Sequence, residues 1–248
     1  MTAALAGPWL HDAGAGYGKA AIGAFSGEAA SGAQYRDLQG SLYGEYGMPA
    51  GFQLEAYAPL VLAVNQDAAA RYLSLGGGDG TVALAHRLVF RHPVALSAAV
   101  AAKVPLYAER DRARHFGELA ARFPEVGDGH VDVDARLDAG LSLPRGAWVQ
   151  ATAGWRHRFG APNDGVPWAT QVGLSGRRGW AGLDAGGVVA CPASADTREW
   201  TRVGAFGALR LGRAVTLESW AAGIPRAVAS QRGVTAGLGL GVRAGPPS

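Results

Sequence analysis

The chain has 248 residues, 38 of them glycine, with 48% hydrophobic residues, a formal charge of +3 and a mean hydropathy near zero. No run approaches the roughly 18 apolar residues that a transmembrane helix needs, and the longest apolar stretch, around 94–102, is broken by Ser97. The basic residues are arginines apart from Lys19 and Lys103 and are scattered, which argues against nucleic-acid binding, while Cys191 is alone and forms no internal disulfide.

In chain order, residues 1–12 form an N-terminal segment. Ala4-Leu5-Ala6 before Gly7 reads either as the tail of a cut signal peptide with its small-residue cleavage site or as an ordinary alanine-rich start. Residues 13–245 then read as one domain of twelve strands: 15–26, 35–46, 51–64, 80–91, 93–106, 129–142, 147–159, 167–176, 179–190, 198–210, 214–225 and 232–243. Each has about ten or more residues, the length of a tilted membrane-crossing strand. Short connections (47–50, around His92, 143–146, 176–179, 211–213) alternate with longer ones (27–34, 65–79, 107–128, 160–166, 191–197, 226–231). Within 107–128, Phe116, Leu119, Ala120 and Phe123 recur at helical spacing, predicting a helix over 111–123 that folds over a mouth as a lid or rests as an ordered surface loop.

Residues 129–142 show the governing pattern most clearly. Val131, Val133, Ala135, Leu137, Ala139 and Leu141 share one face; His130, Asp132, Asp134, Arg136, Asp138 and Ser142 share the other. The same alternation recurs along the chain, as when Leu54, Ala56, Ala58 and Leu60 oppose Gln53, Glu55 and Tyr57. Repeated alternation with short and longer connections taking turns predicts an all-β fold, a transmembrane up-and-down antiparallel barrel of about twelve strands, with short periplasmic turns, longer outer loops and a polar lumen. Aromatic residues near strand ends (Tyr46, Phe52, Phe90, Trp148 and Trp180 at one rim; Tyr35, Tyr107, Phe159, Trp168 and Trp200 at the other) suggest two interfacial girdles, although aromatics also favour strands in general.

Parity places charged groups in the lumen. Asp37, Glu45 and Glu55 come first, then Arg87, Lys103, Asp132, Asp134, Arg136, Asp138, Arg156 and Arg158, and further round Asp184, Arg202, Arg210, Glu218 and Arg243. Facing lipid at the midplane, an arginine or lysine costs about 2–4 kcal/mol, so the inward assignment follows. These charges either line a path that filters solutes or form a cross-strand lattice that neutralises the wall. His130 with Asp132 and Asp134 has the residue types of a rim hydrolase, and Asp128, His130 and Asp132 those of a weak metal site, but acid pairs in lumens are usually structural. Gly76–Gly80 is followed by no Lys-Ser/Thr and no helix, so it is no phosphate loop. No enzyme activity, catalytic residue, metal or cofactor is expected.

Several segments, in order, resemble a group of outer-membrane barrels described as transporter-like or as phenol-degradation meta-pathway proteins. They are Ser41-Leu42-Tyr43-Gly44-Glu45-Tyr46-Gly47, Leu54-Glu55-Ala56-Tyr57-Ala58-Pro59-Leu60, Gly78-Asp79-Gly80 and Lys103-Val104-Pro105-Leu106, followed by Gly127-Asp128-Gly129-His130-Val131-Asp132-Val133-Asp134 and Gly154-Trp155-Arg156-His157-Arg158-Phe159. The resemblance covers most of residues 12–175. It implies a bacterial outer-membrane barrel with a transport role, in contact with outer-membrane lipid and the barrel-assembly machinery, passing a small-molecule solute; it supplies no substrate and no catalytic residues. The final strand departs from the pattern of such barrels in ending Gly241-Val242-Arg243-Ala244-Gly245, without a terminal aromatic. A channel or transporter for small, hydrophobic solutes, with 107–128 as its lid, is the expected function. The alternative is a non-conducting accessory barrel of an envelope or polysaccharide-export assembly.

Overall fold

Alternating side chains need a sheet with two different solvents on its faces, and closing that sheet removes its edges. The computed structural model describes residues 7–28, 34–66, 70–107, 123–124, 126–127, 129–159, 164–191, 199–228 and 232–245. They form a closed antiparallel barrel of twelve strands. These are β1 (Gly16–Glu28), β2 (Gln34–Gly47), β3 (Phe52–Gln66), β4 (in two runs, Arg71–Gly77 and Asp79–Arg91), β5 (Val94–Pro105) and β6 (Val131–Ser142). They continue with β7 (Ala147–Phe159), β8 (Gly165–Gly176), β9 (Gly179–Ala190), β10 (Glu199–Arg210), β11 (Val215–Val228) and β12 (Arg232–Ala244). Each strand pairs with its sequence neighbours, and β1 pairs with β12 to close the ring. Apart from the start of β4, the strand ends fall within three residues of those expected.

The fourth strand is the main correction. The glycine run 76–80 reads in sequence as the end of a loop over 65–79, but Leu60–Gln66 pairs with Gly77–Arg71 and Phe52–Tyr57 with His86–Thr81. Between these stretches Ala58 and Pro59 face Gly78, Asp79 and Gly80, one residue more than they can match. Pro59 has no N–H to give, and the chain bulges where that donor is missing. The Gly78 N–H donates to the Pro59 carbonyl at 3.1 Å, and a β-carbon on Gly78 would sit 2.9 Å from the Pro59 ring. Because strands at this end run on, only residues 29–33, 67–70 and 229–231 separate three of the pairs, so the contrast between long and short connections is weaker than expected. The helix and lid expected at 111–123 lie outside the described residues, except Phe123, whose ring packs 5.5 Å from that of Tyr72.

Ile22, Leu42, Leu60, Val100, Leu137, Leu183 and Leu240 are exposed on the outer face, while Gln53, Glu55, Ser97, Asp132 and Asp138 are buried inside. The aromatic girdles are largely corrected by the same parity. Tyr46, Phe52, Phe159 and Trp168 do take the outward parity. Trp148, Trp180 and Trp200 instead share parity with Gln150, Asp184 and Arg202 and point inward, as does the buried Tyr35, and a bulge between Arg87 and Val89 turns Phe90 to the face of the buried Ala95. Trp148 meets Phe206 at 6.0 Å inside the barrel. An even or odd position on a strand outweighs the preference of an aromatic ring for an interface.

Candidate functional site: a charged lumen above an internal floor

The register sets Asp132 directly between Lys103 on β5 and Arg158 on β7. Its carboxylate is fully buried, 2.9 Å from Lys103 Nζ, and accepts two hydrogen bonds from Arg158 at 2.7 and 2.8 Å; Arg156 Nε lies 3.6 Å away. Asp134 accepts a two-pronged pair from Arg156, at 2.8 and 2.7 Å, across the same two strands. One step along, buried Arg136 donates to Glu55 at 3.0 Å and to Asp138 at 3.3 Å, and Asp138 also accepts from the Thr152 hydroxyl at 2.6 Å. Glu55 takes a further contact from Gln53 at 3.4 Å. Asp184 is paired with Arg202 across β9 and β10. Each carboxylate in this lattice faces at least one cation in a site where an unpaired charge is costly. Asp132 and Asp134 are clasped by arginines, so neither is a free acid beside His130.

The other charged residues named from sequence sit elsewhere. Glu45 accepts from the Tyr43 hydroxyl and lies 2.9 Å from His11 Nε2. Asp37 lines the central cavity. Arg210 and Arg243 are exposed where their strands reach the short turns, 5.9 and 5.7 Å from the Trp180 ring. Arg210 donates to the carbonyls of Gly176 and Arg177, both at 3.3 Å. At the opposite end Asp164 accepts from the Arg158 N–H at 3.1 Å and lies 3.0 Å from His157 Nδ1. These contacts, the backbone N–H first, hold its carboxyl below the usual carboxylate range.

Two features escaped the sequence reading. The first is the pair of partners that the lumenal Glu218 on β11 finds on β1: Lys19 Nζ donates to it at 3.2 Å and the Tyr17 hydroxyl also donates to that carboxylate. Its signal was the parity Lys19 shares with Tyr17, Gly23 and Phe25. The second feature is a floor. Residues 7–12, set apart from the barrel in sequence, cross the lumen at the short-turn end. The His11 N–H donates to Gln53 at 2.8 Å, and Arg87 donates to the Leu10 carbonyl at 2.6 Å and to Asp12 at 3.2 Å. Leu10 is buried against Ala85 and Ala99, Trp9 meets Trp148 edge-on at 6.2 Å, and Pro8 is buried. No periodicity in Gly7-Pro8-Trp9-Leu10-His11-Asp12 announces this path, because tertiary contacts alone fix it.

A cavity of about 420 Å³ lies on the far side of the floor. Phe25, Trp200 and Ile224, from β1, β10 and β11, line it together with Asp37 and the Asp184–Arg202 pair, across from Lys103, Asp134 and Arg136 on β5 and β6. Towards the other rim Tyr107 and Val126, from the two ends of the 107–128 connection, pack with Phe25, Tyr35, Val61 and Ala63.

No family model matches the chain, and no curated protein matches it in sequence. Among solved structures, an outer-membrane channel from Pseudomonas putida F1 superposes with a TM-score of 0.70 at 14% identity, covering 94% of this chain and 96% of that one. The translocator domain of the autotransporter NalP from Neisseria meningitidis gives 0.55 at 8% identity, covering 95% and 90%. The β domain of the Bordetella autotransporter BrkA gives 0.52 at 11%, covering 92% and 98%. What these likenesses establish is the architecture: the chain has the fold of a twelve-strand barrel, one shared with outer-membrane channels and translocators.

Proposed function

We propose that this chain is an outer-membrane barrel that takes up small, hydrophobic solutes through its lumen, with the 107–128 connection as a lid. The observation that carries the reading is the two-sided cavity. Its volume of about 420 Å³ falls within the range of about 300–1,000 Å³ typical of small-molecule sites. Phe25, Trp200 and Ile224 offer a surface to an apolar body, and the Asp184–Arg202 pair beside them, with Lys103, Asp134 and Arg136 opposite, suits a polar end. The channel from Pseudomonas putida supports the reading by its shared architecture. The membrane setting rests on the apolar outer face and gives the barrel-assembly machinery and outer-membrane lipid as partners. Substituting Leu137→Arg, at the middle of β6 on that face, costs about 2–4 kcal/mol in a vesicle refolding titration. A midpoint left unchanged would count against a lipid-facing wall.

Planar-bilayer conductance together with solute binding tests transport. Binding of a small aromatic solute quenches tryptophan fluorescence in the native protein, and Trp200→Ala weakens it. Absence of both conductance and binding, in the full chain and in a form lacking 107–128, favours a second reading. In that reading the barrel is a non-conducting accessory of an envelope or export assembly, and the pairing of the lattice acids with cations is the observation in its favour. A stable partner in pull-downs then replaces the solute.

A further inference from the structure

Every exposed charge in the five short connections is basic. Arg91, Arg145, Arg177, Arg178 and Arg213 stand in four of them, and the fifth, 48–51, is uncharged. Arg210 and Arg243 add two more cations at the same end, on the inward parity beside the Trp180 ring and so outside the outer arc. Among the described residues none of these seven pairs with a carboxylate. Towards this end of the barrel Asp12 is held by Arg87, and Glu45 lies 2.9 Å from His11. With a formal charge of only +3 for the whole chain, these seven arginines leave the remainder net acidic. At the other end the charges are mixed: Asp164 faces His157 and Glu199 faces Arg226.

The position of the turn arginines along the barrel axis narrows what they meet. Each follows an exposed apolar side chain by two to four residues: Val89 before Arg91, Leu143 before Arg145, Leu174 before Arg177 and Arg178, Leu211 before Arg213. They therefore sit where the apolar band ends, spread over consecutive hairpins from β4 to β11. A docked protein would meet a patch on one side or a cap over the end. A sequence of hairpins, each with an apolar residue followed by a cation, fits a surface that surrounds the wall at that height.

We propose that this arginine arc binds the headgroup phosphates of anionic phospholipid in the leaflet around the short turns. Guanidinium groups pair two-pronged with phosphate oxygens, and the apolar neighbour of each enters the acyl region. The arc draws anionic lipid to the hairpins from β4 to β11 and leaves the uncharged 48–51 turn without such a ring. The proposal rests on the membrane reading above.

The test is native mass spectrometry of the full-length barrel, refolded in vesicles of equal phosphatidylglycerol and phosphatidylcholine and extracted in mild detergent. The wild type retains phosphatidylglycerol preferentially. The variant Arg145→Gln/Arg177→Gln/Arg178→Gln/Arg213→Gln loses that preference by at least about five-fold, since one basic residue at an anionic surface is worth roughly that factor. The matching lysine variant keeps most of it, and Arg226→Gln/Arg232→Gln at the opposite end leaves it unchanged. Inorganic phosphate added at millimolar levels does not displace the lipid. Equal retention of the two lipids by the wild type, an unaltered preference in the glutamine variant, or full displacement by inorganic phosphate overturns the proposal. Arg177→Gln/Arg178→Gln alone, whose side chains make no hydrogen bond or ion pair among the described residues, gives a smaller loss and keeps the test open should the fourfold variant fail to refold. Refolding of the wild type into pure phosphatidylcholine, read by its heat-modifiable gel shift, checks the membrane reading separately.

Discussion

Replacing Gly140 by valine opens the lumen without altering the wall's charges. A β-carbon at this inward position on β6 would lie 2.5 Å from Pro8 Cγ and 2.7 Å from the Trp9 ring. The strand itself accepts a β-branched residue readily, so strain falls on the floor. Trp9 and Pro8 leave their seat, the edge-on contact of Trp9 with Trp148 is lost, and the barrel gives up about 0.5–1.5 kcal/mol from that aromatic pair. Single-channel conductance rises several-fold, and a form lacking residues 7–12 reaches the same level. Leu10→Ala, which vacates the seat against Ala85 and Ala99, gives an intermediate value. If Gly140→Val and the truncated form both conduct as the wild type does, the floor is not what limits flow.

Asp132→Asn has the largest expected effect on stability. The carboxylate it removes is fully buried and faces Lys103, Arg158 and Arg156, so three cations lose their shared counter-charge. Removing one partner of a buried pair costs about 3–5 kcal/mol, and the polar lumen brings this site to the lower end. Adding Lys103→Gln to Asp132→Asn restores part of the loss, because one of the stranded cations goes with it. A double-mutant cycle on the urea midpoint measures that coupling. Asp134→Asn costs less, since its partner Arg156 keeps Asp132 within 3.6 Å. A cost for Asp132→Asn no larger than that for Asp134→Asn would show that Asp132 is not the centre of the lattice. In bilayers the same substitution leaves excess positive charge in the lumen and shifts ion selectivity towards anions.

The strands and their facing directions were legible because period-two alternation is a local property that each strand carries in its own residues. Val131 to Leu141 against Asp132 to Asp138 needs no partner to be read. The neighbours of Asp132 followed from hairpin connectivity, which brings Lys103 and Arg158 alongside it. Three things lay beyond local pattern. The bulge at Gly78 depends on a proline about twenty residues earlier in the chain. The inward tryptophans were misread because proximity to a strand end was weighed above parity. The floor depends on contacts from six strands to a segment with no periodicity of its own. Lys19 and Glu218 pair only because the barrel closes between β1 and β12 and brings β11 within reach, a long-range consequence invisible to any window along the chain.

The floor also bears on the shape of the wall. Its contacts run to Gly47 on β2, Gln53 on β3, Arg87 on β4, Ala99 on β5, Gly140 on β6 and Trp148 on β7. Residues 7–12 thus act as a crossbar: six consecutive strands are tied to one another through the interior as well as along the sheet, and the arc they form is braced from within.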